Sequence, residues 1–212
     1  MQPTHRQIAW IKAALFAACL VPLARLAWLA THRGLGANPI EYVTHSTGWW
    51  TLSFLLLTLS VTPLRRIAGA AWLLRLRRML GLFAFFYASL HFTTYIWLDQ
   101  FFDLAGIVKD VAKRPFITVG FAAFVLLLPL AATSTNAMVR RLGARRWQAL
   151  HRLVYVIATL GVLHFWWLVK KDVTEPLWFA ALLAALLAWR LAHAWRQRRA
   201  AAPARAPDSR PA

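Results

Sequence analysis

The sequence predicts an all-α membrane protein built as a bundle of six transmembrane helices. Of its 212 residues 60% are hydrophobic and only 15% are charged, too little polar surface to cover a soluble domain. The charged residues also gather in short clusters, separated by apolar stretches long enough to cross about 30 Å of hydrocarbon.

The first apolar stretch follows Arg6 and Lys12 and looks at its start like a signal peptide. It runs on to about Ala30 without a small-residue cleavage site, so it reads as a retained span over roughly 8–30. A second span is expected over 45–63. Ser46, Thr47, Thr51, Ser53, Thr58, Ser60 and Thr62 thin its hydrophobicity, although such hydroxyls can bond to backbone or across helices. Ile67 to Leu74 is apolar but too short to cross and is expected at the interface. The third span is expected over 79–98 and the fourth over 115–132, with Pro129 tolerated where neighbours satisfy the carbonyl it frees. The fifth covers 149–169 and the sixth 176–195. Together they make one domain over 1–199, and the Ala, Pro and Arg-rich tail 200–212 is expected to be disordered and cytoplasmic.

Orientation follows from the basic residues beside each span. Two precede the first, five lie from Arg65 to Arg78, five from Arg140 to Arg152 and six from Arg190 onward, which is 18 of the 25. The other side holds the remaining seven with six of the seven acids. The basic side is expected to be cytoplasmic, with both termini on it. This distribution also accounts for the net charge of +18, because the arginines sit between apolar spans and form no soluble basic face or reading motif. Nucleic acid is therefore not an expected partner; the lipid bilayer is.

Cys19 is the only cysteine, which excludes an internal disulfide, a cysteine-ligated iron–sulfur cluster and the CxxCH attachment of c-type haem. Catalysis through a resolving cysteine is excluded on the same count.

Seven histidines are present, and ionisable side chains deep in a membrane are costly unless compensated. His5, His32 and His193 fall near predicted interfaces and carry no expected chemistry. His91 lies about twelve residues into the third span, roughly 18 Å along the helix axis. His164 lies about fifteen residues into the fifth, which runs in the same direction, so the two imidazoles reach comparable depth. Two readings stand for this pair. They are the axial ligands of a haem iron, flanked by Phe85, Phe86, Phe92, Phe165, Trp166 and Trp167, or they hydrogen-bond Ser, Thr or carbonyl groups between helices while the aromatics face lipid.

His151 lies thirteen residues before His164, at the inner start of the same predicted helix, and suggests a second haem. An ideal helix turns the two about 140° apart, so tilt or a π-bulge is needed, and the third helix offers Arg77 and Arg78 at the matching level. An interfacial histidine remains the other reading of His151. The arginines read either as positive-inside residues or as partners for an anionic cofactor group. His45 opens the second span and is a candidate for contact with a quinone or a partner protein.

The stretches RRMLGLFAFFYASLHFTTY and STNAMVRRLGARRWQALHRLVYVIATLGVLHFWW, with GLGANP, THSTG and TPLRR, resemble the MsrQ (YedZ) family. The resemblance spans roughly residues 5–195. That family stands among the ferric reductase-like transmembrane domains, and the resemblance implies b-type haem, one or two, carried by His91, His164 and His151. The inner histidine of the third helix, present in larger relatives, is absent here. It further implies a bacterial inner-membrane subunit without catalysis of its own. Such a subunit passes electrons from the quinone pool, or from a flavin reductase, to the periplasmic molybdoenzyme MsrP, which repairs methionine sulfoxide in envelope proteins. FMN is implied by resemblance only. The alternative readings are a ferric reductase or oxidase working with a separate flavin reductase, and a non-redox membrane protein whose histidines bridge helices.

Overall fold

A computed structural model describes residues 3–201, and among these every regular element is helical. Of the tail expected over 200–212, residues 200 and 201 are helical, and those from 202 onward lie outside the described residues. Six helices are long and apolar enough to cross a membrane, and the protein is a multi-pass membrane protein.

Helix α1 (His5–Thr31) starts with a capping box in which Thr4 and Gln7 exchange hydrogen bonds, which satisfies amides a helix start leaves unpaired. Helix α2 (Pro39–Ile67) follows the Asn38 cap and has proline in its first turn, where the missing N–H costs nothing. A 3₁₀ turn over Ala71–Leu73 leads into α3 (Leu74–Thr93), as expected for the short apolar segment there. The third span then continues as a π turn over Thr94–Asp99.

Three helices were not in the sequence expectation. A short helix, α4 (Leu104–Lys113), is capped by Asp103 and has Leu104 and Val108 exposed with Lys109 and Lys113 on its polar side, an interfacial composition. It leads into α5 (Pro115–Ala132). Helix α6 (Asn136–Leu142) carries the STNAM stretch, and α7 (Ala144–His151) breaks at Arg152 before α8 (Leu153–Leu168). The last span, α9 (Thr174–Ala201), runs past the expected end at 195.

The bundle consists of two tight pairs, α2 with α3 and α5 with α8. Their shared core includes Leu56, Leu59, Ala84, Tyr87, Ile157 and Ala158, all essentially inaccessible. Four hydroxyls of the second span act as anticipated: Thr47, Thr51, Thr58 and Ser60 each donate to the carbonyl four residues back, whereas the Thr62 hydroxyl is buried without a partner. Many large apolar side chains on the outer faces of the helices stay exposed, among them Trp10, Phe16, Val125 and Trp178, as a lipid-facing surface requires.

Candidate functional site

At the end of the bundle where α2, α5 and α9 begin, one histidine projects from each tight pair. His91, near the end of α3, places Nδ1 2.9 Å from the carbonyl of Thr44 on α2. His164, near the end of α8, places Nδ1 2.7 Å from the carbonyl of Phe116 on α5. A carbonyl oxygen only accepts, so Nδ1 carries the proton in both rings, and Nε2 of each neutral imidazole is the lone-pair nitrogen. The ring centres lie 6.0 Å apart with planes at 77°.

The Thr44 side is reinforced by hydroxyls. Thr47 donates to the Val43 and Thr44 carbonyls and stands 3.5 Å from His91 Nδ1, while Thr44 donates to Thr94, which donates to the His91 carbonyl. The π turn that starts at Thr94 thus begins one turn from the histidine, not in the fifth span. Between α3 and α5, Phe92 stacks on Phe124 at 4.5 Å and Phe85 lies parallel to Phe124 at 6.2 Å. Phe86 instead packs on Phe83 and Tyr87, Phe165 is buried against His45 and Phe179, and Trp166 and Trp167 are exposed. Of the aromatics expected to flank the histidines, Phe85 and Phe92 meet on Phe124 of α5, and the ring that lies beside His164 is Phe116, at 6.2 Å.

This donor set can be tested against the two metal arrangements a histidine pair serves. Protein-only sites take three or four ligands, and among the described residues no group of three His, Cys, Asp or Glu gathers. A haem iron needs only two axial ligands. With metal–imidazole bonds of about 2 Å on either side, the ring centres stand roughly 6 Å apart, and the observed spacing fits. Hydrogen bonding through Nδ1 and metal binding through Nε2 are compatible in one ring, so the two readings of the pair in the sequence are not exclusive.

His151 is not brought to this pair. It ends α7 toward the opposite end of the bundle, stacked on Trp147 at 3.9 Å, with Nε2 3.1 Å from the hydroxyl of Thr133. Thr133 donates to the Pro129 carbonyl, so the His151 N–H donates to Thr133. A single turn residue, Arg152, with helical dihedrals of φ −68° and ψ −20°, separates His151 from the helix that carries His164, within one membrane-crossing stretch over Ala144–Leu168.

His45 lines a cleft of about 500 Å³ with Arg25, Tyr42, Trp49, Trp50 and Glu175. Its Nε2 is 3.9 Å from the Glu175 carboxylate, both side chains about half exposed, and its ring meets Phe165 edge-on at 5.5 Å. Sequence reasoning missed Thr44 and Phe116, whose backbone carbonyls leave no residue-type signal.

The family model of the ferric reductase like transmembrane component matches residues 47–162, which contain His91 and His151. The chain is 60% identical to a protein of Herminiimonas arsenicoxydans described as protein-methionine-sulfoxide reductase heme-binding subunit MsrQ, over 92% of this chain and 91% of that one. Proteins described in the same words from Bordetella pertussis and Ralstonia nicotianae are 56% and 58% identical. They align over 93% and 88% of this chain and over 97% and 87% of their own lengths.

Proposed function

The chain belongs to the MsrQ family, the haem-binding subunits of protein-methionine-sulfoxide reductase among the ferric reductase-like transmembrane components, and on that premise we propose that His91 and His164 hold a b-type haem through which it delivers electrons to the catalytic subunit MsrP. The observation that carries this is the pair itself: two imidazoles 6.0 Å apart, each fixed by a helix carbonyl in the tautomer that frees Nε2.

When bound, the haem supplies a one-electron carrier. The chain's residues do the rest. The Thr44 and Phe116 carbonyls hold the Nδ1 protons and fix the orientation of the two rings. With both His91 and His164 holding the iron, no position would be left for substrate, which would suit transfer over activation. Phe116 lies beside the His164 ring, and Phe85, Phe92 and Phe124 pack together between α3 and α5, an apolar surface suited to a porphyrin. The basic clusters support an orientation with the opposite end of the bundle and both termini in the cytoplasm and the histidine pair in the outer half of the inner membrane. Electrons arrive from quinol or a separate flavin reductase and leave outward, where a periplasmic MsrP docks. No residue of this chain is assigned to FMN.

The test is electron delivery. Membranes or proteoliposomes carrying the chain, a reduced donor and MsrP are expected to reduce methionine sulfoxide, and His164→Ala is expected to stop it while MsrP still turns over with an artificial reductant. Full activity in the variant refutes the proposal.

A further inference from the structure

Four residues after each of the two carbonyls that accept from His91 and His164 stands a glycine: Gly48 after Thr44 on α2, and Gly120 after Phe116 on α5. Residues i and i+4 of a helix lie one above the other on the same face, so a ring seated on the carbonyl of residue i crosses the Cβ position of residue i+4. A Cβ at Gly48 would stand 3.0 Å from His91 Cε1 and 3.2 Å from its Nδ1. At Gly120 it would stand 2.6 Å from His164 Nδ1 and 2.8 Å from Cε1. Neither glycine is among those with positive φ, so what they supply is space. Glycine weakens a helix relative to alanine, and two at matched positions in two separate helix pairs ask for a compensating role.

We propose that Gly48 and Gly120 are positioning residues, a matched pair of cradles that let each imidazole seat its Nδ1–H on a helix carbonyl and so aim its Nε2 lone pair at the haem from opposite sides. This rests on the reading of His91 and His164 as ligands. The distances rank the two. At Gly48 the His91 ring has to give by a few tenths of an ångström, whereas at Gly120 the contact is closer than real Cβ atoms tolerate and the His164 ring has to leave its seat. Loosening the Nδ1–H bond makes the imidazole a poorer donor to a metal, which favours the reduced iron and raises the midpoint potential.

The test uses the purified full-length protein with Gly120→Ala, Gly48→Ala or Gly81→Ala. Gly81 is the control, since a Cβ there meets Thr58 at an ordinary 3.7 Å. Haem per polypeptide, the ferric low-spin EPR spectrum and the midpoint potential are read, with thermal unfolding as a fold control. Gly120→Ala is expected to lose the six-coordinate low-spin signal or the haem. Gly48→Ala is expected to keep haem at a more positive potential with a shifted EPR spectrum, and Gly81→Ala to match wild type. A wild-type spectrum and potential in Gly120→Ala overturns the proposal, as does Gly81→Ala perturbed equally. If Gly120→Ala yields no folded protein, Gly48→Ala decides: shifts in potential and EPR uphold the proposal, and their absence overturns it. The ligand reading fails separately, if His91→Ala and His164→Ala both keep normal haem.

Discussion

Arg190 donates through Nη2 to the backbone carbonyl of Leu59, 2.5 Å away. Leu59 stands four residues before Pro63, and proline has no N–H to give that carbonyl. The arginine of α9 therefore fills the gap that proline opens in α2, while its Nη1 lies 3.2 Å from the Tyr155 hydroxyl and its guanidinium covers the Tyr155 ring. Sequence inspection reads Arg190 as one more positive-inside residue, but the structure makes it a tie between three helices.

Arg190→Leu is expected to destabilise the bundle by about 1–3 kcal/mol, the cost of leaving a buried carbonyl without its charged donor. Pro63→Ala restores an N–H to α2, so in that background the same substitution should cost less. A double-mutant cycle followed by thermal or denaturant unfolding in detergent reads the difference. Additive effects would remove the link between arginine and proline.

Tyr87 performs a related repair. Its hydroxyl accepts from Leu23 N–H at 3.2 Å and donates to the Cys19 carbonyl at 2.8 Å, so it sits inside the i to i+4 ladder of α1 beside Pro22. Tyr87→Phe keeps the packing against Phe54 and removes the bridge. Stability is expected to fall by about 1–3 kcal/mol with haem content unchanged, as unfolding and reduced-minus-oxidised absorbance measure.

His151→Ala is expected to keep the absorbance of the His91 and His164 site and to lose the bond to Thr133 and the stack on Trp147, about 1–2 kcal/mol of stability. Haem per polypeptide reads this directly. A halved ratio would place a second haem at His151.

The six spans were legible because their apolar runs are set off by arginine clusters, and the level placement of His91 and His164 followed from counting residues along parallel helices. What was hidden is of two kinds. Helices α4, α6 and α7 have 10, 7 and 8 residues and mix charge with apolar positions, so no window of membrane length detects them. The contacts that fix the site run between backbone carbonyls and side chains 47 and 48 residues apart, and a carbonyl carries no residue-type signature. The one trace in the sequence is the glycine four residues after each carbonyl, inside THSTG and FITVG. The turn at Arg152, between His151 and the helix that carries His164, was equally hidden.

The near-perpendicular imidazole planes give another expected outcome. With the 77° angle kept in the holoprotein, ferric EPR should show one strongly anisotropic low-spin feature. The three-line rhombic spectrum that parallel planes give would mean that the rings rotate when haem binds.

The central claim is most directly tested by the reduced-minus-oxidised absorbance spectrum of the purified protein beside His91→Ala and His164→Ala, at matched polypeptide concentration and with haem ample during expression. A b-type spectrum in the parent that is lost or converted to a five-coordinate form in each variant is the predicted result. Spectra of wild-type shape and intensity in both variants would contradict it.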